Sequence, residues 1–96
     1  MQIERIIWLE DIVEKLESKH GVQQDEVREA LFGRPLFKRA RRGKRRGQDV
    51  YQALGQTEDG RHLIIIFILK PGNRALVLSA RDMDDGERRQ FKKVKG

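Results

Sequence analysis

The sequence has no cysteine, only two histidines and two prolines, and no apolar run of membrane-spanning length. Without cysteine the chain can form no disulfide, no thiolate nucleophile and no cysteine-ligated zinc site, which fits a reducing compartment. His20 and His62 stand alone, without the paired spacing that a zinc site requires. The longest apolar run, Leu63–Leu69, is far shorter than the roughly 20 residues of a transmembrane helix, and the N-terminus lacks signal-peptide character. We therefore expect a cytoplasmic protein with no metal, no cofactor and no membrane partner.

Hydrophobic residues are also scarce, at 38% of the chain, and charged residues make up another 38%. Globular domains average roughly 45–50% and 25%, so we expect a thin core and a densely ionised surface. The 96 residues suit a single domain over 1–96. Its charge is uneven, because residues 1–33 contain four basic and eight acidic side chains and the other 63 residues contain 17 and seven. The net charge of +6 is thus the sum of −4 and +10.

The positive charge is concentrated in two segments. No acidic residue occurs between Arg34 and Arg46, and a second basic cluster lies between Arg88 and Lys95. Like charges at this density favour a polyanionic partner, whose counterions are released on binding; the alternative is a solvated loop and tail. The candidate nucleic-acid-binding residues are Lys38, Arg39, Arg41, Arg42, Lys44, Arg45, Arg46, Arg74, Arg88 and Arg89.

Hydrophobic periodicity predicts the element order β-α-α-β-β-β-β-α, which describes one α+β domain. The run Leu63–Leu69 is apolar at every position, as expected of a central strand covered on both faces. The predicted elements are a strand over Ile3–Leu9, a helix from Leu9 to His20, a helix from about Asp25 to Gly33, strands over Leu36–Arg42, Val50–Leu54, Leu63–Leu69 and Arg74–Arg81, and a helix over Met83–Lys95.

One catalytic chemistry needs only arginine, lysine and carboxylate side chains, namely RNA cleavage by attack of a 2′-hydroxyl on the neighbouring phosphate. Guanidinium groups held at that phosphate stabilise the charge of the transition state, usually the largest catalytic term. Arg61 begins the predicted central strand, and Arg74 and Arg81 lie at opposite ends of the next strand. The alternative is that each is a surface charge at a sheet edge.

Several short segments follow one another in a pattern typical of one protein family. They are Trp8, Lys19-His20-Gly21-Val22, Glu26, Phe32, Pro35, Gly60-Arg61-His62-Leu63, Ser79-Ala80-Arg81 and Glu87-Arg88-Arg89. In order and spacing they resemble the BrnT family of toxins over nearly the whole chain. The resemblance implies a RelE-like α+β fold, with two N-terminal helices packed on a mainly antiparallel sheet and a C-terminal helix. It also implies a metal-independent endoribonuclease that cleaves messenger RNA, on or off the ribosome, inhibits translation and is neutralised by a BrnA-like ribbon-helix-helix antitoxin.

The resemblance also gives candidate roles to individual residues. Arg61 and Arg81 match family arginines and are assigned to phosphate binding and transition-state stabilisation. Lys19 and His20 match the family segment and are candidates for a proton donor or a second phosphate contact, although His20 is equally explained as a helix-ending residue packed beneath the sheet. Glu87 is a candidate base, or an ion-pair partner of Arg81 or of an arginine in its own helix, and we favour the pair.

Two non-catalytic functions stay open. The same fold can serve as a basic module that binds RNA, an antitoxin or an acidic protein, or as a structural subunit whose sheet edge pairs with another chain. Some positions that are polar in family members are apolar here, among them Leu9 and Phe91. This difference is typical of a diverged relative and leaves altered or absent cleavage open, while the ribonuclease stays the leading hypothesis.

Overall fold

A computed structural model describes residues 1–45 and 47–95. For these residues the α+β class and the predicted order of elements are confirmed. The elements are β1 (Arg5–Ile7), α1 (Glu10–Lys15), which continues as a π-helical segment (Leu16–His20), α2 (Gln24–Phe32), β2 (Leu36–Arg41), β3 (Val50–Gln56), β4 (His62–Lys70), β5 (Arg74–Asp82) and α3 (Asp85–Lys95).

The five strands form one mixed sheet in the order β1-β5-β4-β3-β2. β1 runs parallel to β5, and the other three pairings are antiparallel. β1 is shorter than the predicted strand over Ile3–Leu9, because Leu9 already serves as the N-cap of α1. Ile3 lies before the ladder and contributes its side chain to the core instead.

The larger hydrophobic core lies between one side of the sheet and the helices that precede β2. Apolar side chains of α2 and the π-helical segment meet alternate residues of the central strands there, including Leu63, Ile65 and Phe67 of β4. The approach is close, since a Cβ at Gly55 of β3 would lie 2.7 Å from the carbonyl oxygen of Ala30 in α2. The acidic first third of the chain, residues 1–33 with a net charge of −4, thus lies mainly on this side of the sheet.

The other side of the sheet is covered only in part. Phe91 of α3 packs with Leu54, Ile64 and Met83 in a second, smaller cluster. Beyond the reach of α3, Ile68 is only half-buried. The prediction that the central strand is covered on both faces is therefore wrong for its second half, because α3 spans only the first.

We call this uncovered area the open face; it includes the half-buried residues Val50, Gln52, Ile66, Ile68, Leu76, Leu78 and Ser79. The neighbours Leu78 and Ser79 both lie on it because the pairing of β4 with β5 shifts register between Ile66 and Phe67. Among residues 1–45 and 47–95, no helix combines the length and the apolar character needed to span a bilayer.

Candidate functional site

Arg61 directly precedes β4, and its guanidinium is enclosed by protein groups. Nε and Nη2 donate to the two carboxylate oxygens of Asp82, at 2.7 and 3.2 Å. Nη1 donates to the Glu26 carboxylate at 3.1 Å and to the carbonyl oxygen of Gly21 at 2.8 Å, and Nη2 donates to that of His20 at 3.0 Å. These bonds engage all five N–H donors of an arginine. Arg61 therefore joins the end of the first helix, α2 and the end of β5.

The electrostatics of this cluster match its geometry. The hydrogen bond from Arg61 lowers the pKa of Asp82, and the nearby His20 acts in the same direction. The carboxylates of Asp82 and Glu26 in turn raise the pKa of Arg61. Both carbonyls that Arg61 caps belong to a helix end, where backbone oxygens lack intrahelical partners. The geometry thus favours a structural role for Arg61 over a contact with substrate phosphate.

Arg81 lies one residue before Asp82, in a different environment. Its Nη1 and Nη2 donate to the two oxygens of Glu87 at 2.8 and 2.9 Å, so the favoured ion pair is present and is bidentate. Nη1 also donates to the carbonyl oxygen of Asp82 at 3.0 Å. Within residues 1–45 and 47–95, Nε–H and one Nη2–H of Arg81 have no hydrogen-bond partner, and the side chain is 43% exposed. Arg81 therefore retains donors for a ligand.

Glu87 is held in its charged form. The hydrogen bond from Arg81 is the main cause that lowers the pKa of this carboxyl, and the backbone N–H of Asp84 adds to it. The carboxylate of Asp84 accepts the N–H of Glu87 in return, at 2.8 Å, and this reciprocal pair starts α3. A carboxylate with a lowered pKa is a weak proton acceptor at neutral pH, so the geometry favours Glu87 as the group that orients Arg81.

The two arginines lie on opposite sides of the sheet. Arg81 is opposite Ile64, on the side of α3, whereas Asp82, the partner of Arg61, is opposite Leu63 of the larger core. Side chains alternate between the two sides of a strand, so the side chains of Arg81 and Asp82 point in opposite directions from β5. Arg61 contacts the Asp82 carboxylate, whereas Arg81 contacts the Asp82 backbone carbonyl.

Lys19 and His20 end the π-helical segment on the Arg61 side, and both are exposed. The interpretation of His20 as a residue packed beneath the sheet is therefore wrong. Its position at the end of the helix is confirmed, because Gly21 follows in the left-handed conformation with φ of 60°.

The predicted nucleic-acid-binding residues do not all share one surface. Lys38 lies on the α3 side, where its Nζ donates to Gln90 at 3.1 Å. Arg39, the next residue of β2, lies on the other side, with its guanidinium 5.7 Å from the centre of the Tyr51 ring and 3.9 Å from Asp49. The hydrogen bond with Tyr51 is the main cause that raises the pKa of Arg39. Because strand residues alternate in direction, a single surface cannot include both basic residues.

Three of the predicted residues line a groove at the edge of the open face. Arg41, Arg42 and Lys44 lie there with Lys70, a residue that the sequence interpretation missed. We call this cavity, about 580 Å³ in volume, the basic groove; its floor is formed by Val50, Ile68 and Leu78. Lys70 could have been found by alternation, because it follows Ile66 and Ile68 on the same side of β4.

The other predicted residues are scattered over the surface. Arg74 donates from Nε to the carbonyl oxygen of Pro71 at 2.9 Å, at the turn before β5. Arg45 lies exposed in the loop after β2, and Arg88 and Arg89 are exposed on α3. Arg46 lies outside the described residues.

His62, at the start of β4, lies near Arg88. Its ring meets that of Phe91 edge-on, with 5.7 Å between the centroids. Burial lowers its pKa, and the charges of Arg88 and Lys92 add to this effect. A second, smaller cleft beside His62 also contains Arg61 and Asp82.

The partners of Arg61 could not be found from the sequence. Asp82 is 21 residues from Arg61 and Glu26 is 35 residues away. The first pairing depends on the register that places Leu63 opposite Asp82, and the second depends on how α2 lies on the sheet. Neither has a local pattern.

Residues 8–87 match a family model whose members are ribonuclease toxins of type II toxin-antitoxin systems. The matched range contains all five candidate catalytic residues, from Lys19 to Glu87. No curated protein matches the sequence significantly. The family is BrnT, and the chain belongs to it, which confirms the resemblance found in the sequence.

Proposed function

We propose that the chain cleaves RNA on the α3 side of the sheet, with Arg81 at the scissile phosphate, and thereby inhibits translation as the toxin of a type II pair. The observation that carries the proposal is the state of Arg81. Its guanidinium is fixed by Glu87 and Asp82 while two donors stay available on an exposed surface. Membership of the BrnT family supports the same activity.

The charge on this side of the sheet supports RNA as the substrate. The basic groove and Lys38 place five cations beside the open face, and α3 adds Arg88 and Arg89. A phosphate chain that neutralises such cations gains free energy from the release of counterions. RNA bound along the open face would pass from the basic groove towards Arg81.

The proposed chemistry is an internal displacement at phosphorus. The 2′-oxygen forms a bond to phosphorus while the bond to the 5′-oxygen breaks, which leaves a 2′,3′-cyclic phosphate and a 5′-hydroxyl. Water takes up the proton of the 2′-hydroxyl and supplies one to the 5′-oxygen. Arg81 donates to the phosphate oxygens as their charge grows, and Glu87 holds the guanidinium in place. Lys19, His20 and Arg61 lie on the opposite side of the sheet from Arg81, and they make no contact with the RNA in this proposal.

Membership of the family supports a proposal for the partner and the setting. We propose a RelE-like fold, a cytoplasmic location and a BrnA-like ribbon-helix-helix antitoxin that covers the cationic surface. The family description as part of a type II toxin-antitoxin system supports a protein partner. Expression of the chain alone should arrest growth, and coexpression with its ribbon-helix-helix antitoxin should relieve the arrest.

The direct test is RNA cleavage by purified wild type, Arg81→Ala and Arg81→Lys, with end-group analysis of the products. Loss of one donor group at a developing oxyanion lowers the rate about 10²- to 10³-fold. We therefore expect Arg81→Ala to cleave RNA at least about 100-fold more slowly than wild type. Arg81→Lys keeps the positive charge but loses the planar, two-pronged arrangement of N–H donors, so it should retain only part of the activity. Arg28→Ala is the matched control, because it removes an exposed arginine in an ion pair on α2. Wild-type cleavage by Arg81→Ala would refute the assignment.

A second function, RNA binding without cleavage, is favoured by one observation. The group that contacts Arg81 is Glu87, whose lowered pKa makes it a poor base. In this case the RNA stays intact, and its affinity falls steeply with salt.

A further inference from the structure

We propose that the basic groove is a nucleotide subsite, which holds an unpaired RNA base on its apolar floor and the adjoining phosphates at its cationic rim. The proposal rests on the proposed function in taking RNA as the ligand. It adds a site for a nucleotide that flanks the cleaved bond.

The rim of the groove selects a polyanion. Arg41, Arg42, Lys44 and Lys70 contribute four positive charges, and no acidic side chain occurs among the described residues that line it. Four cations without a counter-charge repel one another, and this repulsion is relieved when phosphates bind. Two of the four are arginines, whose planar guanidinium groups can also stack on a base.

The floor of the groove distinguishes a nucleotide from a simple anion. Val50, Ile68 and Leu78 are half-buried side chains of three adjacent strands, β3, β4 and β5, and they form an apolar surface in the midst of the cations. A phosphate has nothing apolar to place there, and a glutamate side chain has only a short methylene stem below its carboxylate. An unstacked base does, because its face is apolar and its edge is polar.

The wall of the groove is already formed in the free protein. The loop after β2 is closed by a hydrogen bond from the Gly43 N–H to the Asp49 carboxylate, at 2.7 Å. The loop is so tight at this point that a Cβ on Gly43 would lie 2.4 Å from the Cβ of Gln48. The second carboxylate oxygen of Asp49 lies 3.9 Å from Nε of Arg39, which is on the other side of β2.

The groove and Arg81 lie on one path. Leu78 precedes Arg81 by three residues of the same strand, a separation of roughly 10 Å at about 3.3 Å per residue. That separation is too large for both to contact one phosphate. The groove therefore holds a neighbouring nucleotide, and it selects single strands, since a base within a duplex cannot reach the floor.

The experiment measures binding without cleavage, using a labelled 2′-O-methyl RNA octamer that lacks the attacking hydroxyl. Its affinity is compared with that of an abasic phosphodiester octamer of equal charge over a series of salt concentrations. The variants are Lys70→Gln for the rim and Leu78→Gln for the floor. Their controls are Lys15→Gln, an exposed lysine of α1, and Leu9→Gln, an exposed leucine before α1.

We expect wild type to bind the octamer with bases about fivefold more tightly than the abasic one, which is the lower end of what one base stacked on an aromatic side chain contributes. Leu78→Gln should abolish that difference and leave the salt slope unchanged. Lys70→Gln should weaken both octamers and reduce the log–log salt slope by about 0.7, the value for one phosphate contact on a single strand. Both controls should bind like wild type.

Three results would overturn the proposal. Equal affinity of wild type for the two octamers would show a phosphate surface without a base site, and this comparison needs no variant to fold. Equal binding of an RNA duplex would remove the single-strand selection. Displacement of the octamer by an oligoglutamate peptide at lower concentration than by unlabelled RNA would assign the groove to an acidic protein.

Failure of the proposed function is distinguishable. Base-dependent binding with no cleavage of an all-RNA octamer would leave the subsite standing and remove the ribonuclease activity.

Discussion

Replacement of Arg61 by alanine separates a structural role of this residue from a catalytic one. The change removes the contact with Glu26, in which both side chains are only 27% exposed, and leaves the carbonyls of His20 and Gly21 without their donors. A partly buried charged hydrogen bond contributes about 1.5 kcal/mol, and the two carbonyl bonds together about 1 kcal/mol. The contact with Asp82, whose side chain is 63% exposed, adds only about 0.5 kcal/mol because solvent screens it.

We therefore expect Arg61→Ala to lower the free energy of unfolding by about 3 kcal/mol, which corresponds to about 12 °C or more in Tm for a domain of this size. Urea and thermal unfolding followed by circular dichroism measure both quantities. Arg61→Lys keeps the charge but cannot span all the acceptors, so it should lie between wild type and Arg61→Ala. Arg28→Ala is the matched control, and it should cost less than about 0.5 kcal/mol because its ion pair is exposed.

The reasoning fails if Arg61→Ala unfolds like Arg28→Ala while RNA cleavage is lost. That combination would mean that Arg61 acts on the substrate and that its contacts in the free protein add little stability. Loss of stability with normal cleavage at low temperature is the outcome we expect.

Two further predictions concern packing and pH. Gly55→Ala should destabilise the fold by about 3 kcal/mol, the upper end of the usual cost of overpacking, because its Cβ would lie 2.7 Å from the backbone oxygen of Ala30. Gly21→Ala has open space around its Cβ but φ of +60°, and it should cost only about 1 kcal/mol. Urea unfolding measures both costs, and equal values would contradict the close packing of α2 on β3. The lowered pKa of Glu87 means that its pairing with Arg81 stabilises the fold above the ordinary carboxyl value of 4.5 and ceases to do so as the pH falls through the native value. Urea midpoints between about pH 6 and pH 3 should therefore fall less steeply for Arg81→Ala than for wild type; parallel curves would show that the pair contributes no stability.

Much of the fold could be predicted because its elements have local signals. The apolar spacing of Val27, Ala30 and Leu31 marks the buried face of α2, and Gly21 and Gly33 follow the ends of the first two helices. Strand bounds were predicted less well, since β1 covers only three residues and β3 continues to Gln56. The open face was missed altogether. The exposure of this face depends on how far α3 extends across β4. The hydrophobic pattern of β4 itself cannot predict that distance.

The candidate site was predicted in residue type more than in arrangement. Arg61 and Arg81 were identified by the family resemblance and by their places at strand ends, and an ion pair of Glu87 was favoured over a role as base, which the contact with Arg81 confirms. The different environments of the two arginines were not foreseen. Neighbouring strand residues point to opposite sides of a sheet, so Arg81 and the Asp82 partner of Arg61 belong to different surfaces.

The amino-acid sequence alone determined four properties of the protein. They are the α+β class, the scarcity of groups for metal or thiol chemistry, the charge difference between residues 1–33 and the rest, and the family. These are properties of composition and of near neighbours, which the chain carries in any conformation. Tertiary structure decided which cations share a surface, because strand alternation puts Lys38 and Arg39 on opposite sides of β2. The tertiary structure also decided that Arg81, and not Arg61, keeps N–H donors for a ligand. The acceptors that bind the N–H groups of Arg61 belong to residues 21 to 41 positions away, and they contact it only when the sheet and helices pack.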